Sequence, residues 1–408
     1  MKKQWGGLLI FVLMAVLSLP ALAQQQAPAQ APADASAQAP AAAPSTPQPL
    51  PNPSMTAPLS TAAPPHTFNA GPFGTVAITG ILSGMGLSQS NWVPGDKSTR
   101  WDLSNGQLFL QKTSGWFQFY LQAGAYNLPA LGFPTVSTVN TITGLYGPLP
   151  LAYLKLVKGN FNVEIGELPT LIGAEYTFTF ENMNVERGLL WGQETAISRG
   201  IQVNDTYKKL TFAASWNDGF YSNVYNWISG TVSYAINGSN TLAFVGSGNV
   251  GQTTSTGAAT PFLQNNGQIY NLLYTYSHES WTITPYWQYT RVPANTTLGI
   301  PESGSTNGGA LLLNYNFKHG ISLAARPEYI TSSGSTTDPL ALNLLGYGPG
   351  SSAFSFTVTP TYQKGGFFLR GDLSLVDARN LSATSVVFGA LGDKTKQVRG
   401  VIEAGFMF

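Results

Sequence analysis

From about Phe73 to the C-terminus the chain alternates apolar and polar residues at period two. In Gly115–Gln122, Phe117, Phe119 and Leu121 share one face, and Gln118, Tyr120 and Gln122 the other. In Trp281–Tyr289, Trp281, Ile283, Trp287 and Tyr289 oppose Thr282, Thr284, Tyr286 and Gln288. In Phe354–Tyr362, Phe354, Phe356, Val358 and Tyr362 oppose Ser355, Thr357, Thr359 and Thr361. Such alternation predicts strands with one oily and one wet face. A soluble sandwich shows the same period, so the pattern alone leaves two architectures open.

The connections separate them. Short polar turns are expected near Lys112–Ser114, Lys158–Asn160, Asn204–Tyr207, Asn237–Asn240, Ser277–Ser280, Lys318–Gly320 and Lys364–Gly366. They alternate with longer Gly/Ser/Thr/Pro-rich stretches such as Gly248–Gly267, Pro293–Gly308 and Ser332–Ser351. Short turns on one side and long loops on the other predict an all-β, transmembrane antiparallel β-barrel. Seven hairpins with a first and a last strand give about sixteen strands, within a range of fourteen to eighteen. In the last segment Val398, Ile402, Ala404, Phe406 and Phe408 share one face, and Arg399, Glu403 and Met407 the other. The terminal Phe408 resembles the signal by which barrel-assembly machinery recognises outer-membrane proteins.

The N-terminus has a different character. Lys2 and Lys3, the apolar run Leu8–Leu17, Pro20 and the small-residue site Ala21-Leu22-Ala23 predict an export signal over residues 1–23. The apolar run is short of the roughly 20 residues a spanning helix needs. Residues 24–66, rich in Ala, Pro and Gln, are expected to form an extended, solvated periplasmic spacer. The barrel is placed at 67–408. Only 10% of the 408 residues are charged, 12% are aromatic, 44 are glycine and none is cysteine. That suits a surface facing lipid better than one facing water. With Lys2, Lys3 and Asp34 set aside, the 20 basic and 19 acidic residues leave 18 of each, which gives no basic field for nucleic acid.

The stretch Phe161–Val203 stands out. Two alternating strands flank a long polar insert, Pro169–Ala196, whose Tyr176, Phe178, Phe180 and Trp191 argue for order. Glu175, Glu181, Glu186 and Glu194 against Arg187 give the insert a net charge of minus three. It is expected to narrow the lumen and favour cations mildly, since charge at a constriction counts most. Charges on the wet faces of strands, Lys155, Glu164, Arg326, Glu328, Arg370, Asp372, Arg399 and Glu403, are expected to line the lumen. An arginine facing lipid at midplane would cost roughly 2–4 kcal/mol. Arg326/Glu328, Arg370/Asp372 and Arg399/Glu403 either form a charged ladder or satisfy one another to stiffen the wall.

Other chemistry is poorly supported. Gly246-Ser247-Gly248-Asn249-Val250-Gly251 matches the dinucleotide fingerprint, but no helical pattern follows, so it reads as a loop and no cofactor is expected. No serine has glycine at both minus two and plus two. His66, His278 and His319 fall in the spacer or in turns, and metal-ligand spacing is missing. No enzymatic activity is expected.

Four blocks within 161–204 carry a family resemblance: Glu164–Glu167 (EIGE), Pro169–Glu175 (PTLIGAE), Asn182–Leu190 (NMNVERGLL) and Ser198–Val203 (SRGIQV). Together they resemble the OmpL-like putative β-barrel porin-2 family. Glu186 stands where that family often has serine, and Arg199 where histidine is frequent. The resemblance implies an outer-membrane porin of a Gram-negative bacterium. Sixteen strands leave an aqueous channel, so passive diffusion of small polar solutes or ions is expected, with outer-membrane lipid outside and a homotrimer as assembly. The alternative is a plugged barrel that acts as a surface interaction protein through its long loops.

Overall fold

The computed structural model describes residues 59, 65–382 and 385–408. The expected export signal and nearly all of the expected spacer lie outside them. A short strand β1 (His66–Asn69) precedes β2 (Thr75–Gln89), β3 (Thr99–Lys112), β4 (Phe117–Tyr126), β5 (Leu151–Lys158), β6 (Phe161–Pro169), β7 (Ile197–Tyr207) and β8 (Leu210–Asn217). There follow β9 (Trp227–Asn237), β10 (Asn240–Asn249), β11 (Gln268–His278), β12 (Trp281–Val292) and β13 (Gly304–Lys318). The last four are β14 (Ile321–Ser332), β15 (Ser352–Lys364), β16 (Phe367–Arg379) and β17 (Lys396–Met407).

From β2 to β17 each strand pairs antiparallel with the next, and β17 returns to β2 with Met407 opposite Ile81 and Arg399 opposite Gln89. Sixteen strands thus close into a ring. Closure removes the open edges that lipid cannot hydrate. At the seam the final residue takes part in the ladder. Gly80 N–H donates to Phe408 O at 3.0 Å and Phe408 N–H donates to Gly80 O at 3.1 Å. β1 continues that ladder along β2, with His66 opposite Ile78.

Side-chain exposure decides between the two all-β architectures. On β15 Ser355, Thr357 and Thr359 are 0% exposed, whereas Phe356 is 42% exposed. On β17 Arg399 and Glu403 are buried while Val398, Ile402 and Phe406 face outward. A soluble sandwich would bury the oily face. Here the wet face is enclosed and the oily one presented, as a bilayer requires.

Two-residue turns join most hairpins on one side. Gly159, Lys208, Glu279, His319 and Gly365 each open such a turn at φ between 51° and 63°. That left-handed backbone matches the twist of paired strands. The third turn lies at 208–209 rather than at 204–207, because β7 extends through Tyr207. The loop expected at Pro293–Gly308 ends at 303, since Gly304–Gly308 pair along β13. Gly246–Asn249 of the fingerprint-like stretch likewise complete β10 rather than a loop. The eight connections on the opposite side are longer, the longest being 170–196.

This alternation fixes an orientation that labelling can test, because the chain has no cysteine of its own. Single cysteines at Gly257 or Asp338 should react with a membrane-impermeant maleimide on intact cells. Cysteines at Lys158 or Lys364 should react only after permeabilisation; the reverse pattern would invert the barrel.

Candidate functional site

The connection 170–196 leaves β6 at Pro169 and folds into the ring before entering β7. The side chain of Asn182 holds its shape. Asn182 Nδ2 donates to the carbonyls of Tyr176 (2.9 Å) and Phe178 (2.8 Å), and its Oδ1 accepts from Tyr176 N–H at 2.7 Å. The connection after β4 braces it: Leu131 N–H donates to Arg187 O at 2.9 Å, and Arg187 N–H donates to Pro129 O at 3.0 Å. Between residues 171 and 198 only Phe180, Glu181, Trp191 and Gly192 are not buried.

The buried face of the loop is bonded to the wall formed by β14 to β17. Arg326 pairs with Glu175 and with Glu328 (3.3 Å), and its Nη1 also donates to Glu186 O at 2.8 Å. Arg399 Nη1 meets Glu186 Oε1 at 2.7 Å. Arg370 pairs with Glu403 at 2.7 Å and donates to Asn182 O at 2.9 Å. Asp372 accepts from the backbone N–H groups of Val185 (3.1 Å) and Glu186 (2.7 Å), and Leu189 N–H donates to Glu328 at 3.1 Å. Charge-assisted bonds of this kind are the stronger ones, and low dielectric strengthens them further.

The wall charges named from the sequence are therefore inside the ring, but not in the pairs that sequence proximity suggested. Arg326 does meet Glu328. Arg370, however, bonds Glu403 on the adjacent strand, where the two are directly opposite, and Arg399 turns to Glu186 of the loop. Along one strand, residues two apart are nearly 7 Å apart in backbone position, farther than a cross-strand partner. Lys155 and Glu164 are directly opposite on β5 and β6 and pair at 2.9 Å, away from the loop cluster.

Among the loop charges, Glu175 and Glu186 are thus spoken for by wall arginines. Glu194 accepts from Tyr286 OH, and burial pushes its carboxyl up to about 8 against that bond. Among the described residues Glu181 has no arginine partner; its partial burial pushes it up to about 7, partly offset by the Phe178 N–H it accepts. Among the described residues Arg187 has no carboxylate partner. Neutral residues that composition did not single out complete the arrangement. Thr359 accepts from Asn184 at 2.6 Å, Thr179 donates to Glu403 at 2.8 Å, and Gln288 donates to Leu190 O at 2.9 Å. Their place on the wet face was legible; their partners, distant in sequence, were not. Leu59 adds a contact from the N-terminal segment, donating its N–H to Phe180 O at 2.9 Å.

Comparison with known proteins agrees with this architecture. The model of the family described as Putative beta-barrel porin-2, OmpL-like, matches residues 75–408. No curated protein matches the chain. Similar solved structures include the channel DcaP of Acinetobacter baumannii (10% identity, TM-score 0.56), covering 82% of this chain and 97% of that one. The anion-selective porin of Comamonas acidovorans (14%, 0.54) covers 82% and 99%. OmpT of Vibrio cholerae (12%, 0.54), solved also in a trimer form, covers 83% and 98%. At these identities the structures attest the fold. The family match over 75–408 goes further: this chain belongs to the OmpL-like porin-2 family and is an outer-membrane diffusion channel of a Gram-negative bacterium.

Proposed function

We propose that the loop 170–196 sets the width and charge of this channel, and that small polar solutes or ions pass along its free face. The observation that carries the proposal is the division of the loop into two faces. One is bonded to β11, β12 and β14–β17, while Phe180, Glu181, Trp191 and Gly192 are only partly buried. The solute is moved, not altered. Recognition of Phe408 by the barrel-assembly machinery, contact of the oily faces with outer-membrane lipid, and homotrimeric assembly like the trimer form of OmpT belong to the same proposal. An export signal over 1–23 and a spacer over 24–66 complete it.

The close fit of residues 171–179 and 182–190 favours one second reading, a plugged barrel that presents its long loops to a surface partner. Single-channel conductance of the purified protein separates the two. Replacing Gly173–Gln193 by a short Gly/Ser linker should raise conductance several-fold, as removal of an obstruction from a 16-strand ring would. Unchanged conductance would end the constriction proposal, and conductance that appears only after the replacement would favour the plug.

The raised carboxyls give a second, independent expectation. Between about pH 6 and 9 Glu181 and then Glu194 lose their protons, adding negative charge to the lumen. The reversal potential across a KCl gradient should therefore move toward cation preference as pH rises. Glu181→Gln should remove the lower step of that titration and Glu194→Gln the upper. A pH-independent reversal potential would contradict it.

A further inference from the structure

Four arginines meet inside the ring around the loop, and three of them are paired. Arg326, Arg370 and Arg399 each have a carboxylate within ion-pair distance. Arg187 is the exception. It is 0% exposed, and none of Nε, Nη1 and Nη2 has a hydrogen-bond partner among the described residues. Beside it stands Trp191, whose ring centroid lies 5.5 Å from the guanidinium carbon and whose Nε1–H is also unpartnered. An enclosed guanidinium without acceptors is costly by several kcal/mol, which is why such groups are normally matched.

The protein has no acceptor to spare for it among the carboxylates whose charge reaches it. Glu175 is held by Arg326 and by the N–H of Gly188 (2.8 Å). Glu186 is held by Arg399 and by Ser374 Oγ (3.1 Å). Glu403 is held by Arg370, Thr179, Ser83 and Asn105. The surplus at Arg187 is thus one of donors: a guanidinium fork and an indole N–H. A planar two-oxygen acceptor fits a fork bidentately, and an adjacent aromatic face accommodates a flat ligand. Trp191 and Gly192 keep the partial exposure through which a ligand would arrive.

We infer that Arg187 and Trp191 form a weak binding site for small carboxylate solutes in the lumen, which makes such anions a substrate class of this channel. Burial lowers the Arg187 pKa only to about 10, so the group is cationic at neutral pH. The inference rests on the reading of the loop as the lining of the conducting path. Weak binding is what a channel needs, since a solute held tightly does not leave.

The test uses the full chain in planar bilayers, with KCl current recorded while sodium benzoate or acetate is added. Wild type should show saturable, transient block in the millimolar range, stronger for benzoate, which offers a flat ring to Trp191. Arg187→Gln should raise the half-blocking concentration at least about tenfold. Arg187→Lys, with charge but no fork, should fall between. Should the Gln variant fail to fold, Trp191→Phe keeps the ring, removes the N–H and should weaken block several-fold. Equal block of wild type and both variants, or block by nitrate as strong as by acetate, would overturn the carboxylate site. Absence of any KCl current would instead refute the loop-lined path, so the two failures are distinguishable.

Discussion

A guanidinium on the inner wall of this ring, sealed from bulk water, must find its acceptors within the protein, and some of those acceptors belong to the loop 170–196. Arg326, Arg370 and Arg399 between them take Glu175, Glu186 and the carbonyls of Asn182 and Glu186. Asp372 and Glu328 reciprocate by accepting loop N–H groups. Removing one partner of such a buried pair costs about 3–5 kcal/mol, because it strands the other charge. Loop and wall therefore stand or fall together. The position of every group on the loop's free face, Glu181 and Trp191 included, follows from this clamp.

The same constraint explains what the sequence made legible. Period-two alternation with Ser and Thr opposite large aromatics specified strands, and the short and long connections specified a barrel, because only a ring with its wet face inward satisfies both faces of Phe354–Tyr362 in a membrane. Tight turns at Gly159, His319 and Gly365 were visible through glycine and polar clusters. The turn at 208–209 was misplaced because Asn204 and Asp205 look like turn residues yet sit inside β7, paired to Ala213 and Phe212. Local propensity yielded there to the ladder.

The charged cluster was legible only in its membership. That Arg326, Arg370 and Arg399 face inward follows from their register with apolar neighbours. Which carboxylate each one meets depends on shear between strands and on the path of the loop, neither of which a residue pattern encodes. The net charge of the insert likewise does not encode which of its groups are matched. Two of its four glutamates are matched by wall arginines, burial raises the carboxyls of the other two, and Arg187 has no carboxylate partner among the described residues. Leu59, in a segment that reads as featureless, reaches Phe180 through a backbone bond that carries no sequence signature.

The clamp itself is the central claim, and a cross-link tests it most directly. Asn184 on the loop and Thr359 on β15 are joined by a 2.6 Å hydrogen bond, and the chain has no cysteine to compete. In the double variant Asn184→Cys/Thr359→Cys, mild oxidation in outer membranes should form an intramolecular disulfide in nearly all molecules, with neither thiol labelled from outside the cell. If no disulfide formed and the thiol at position 184 were freely labelled on intact cells, the loop would lie outside the ring and the account would fail.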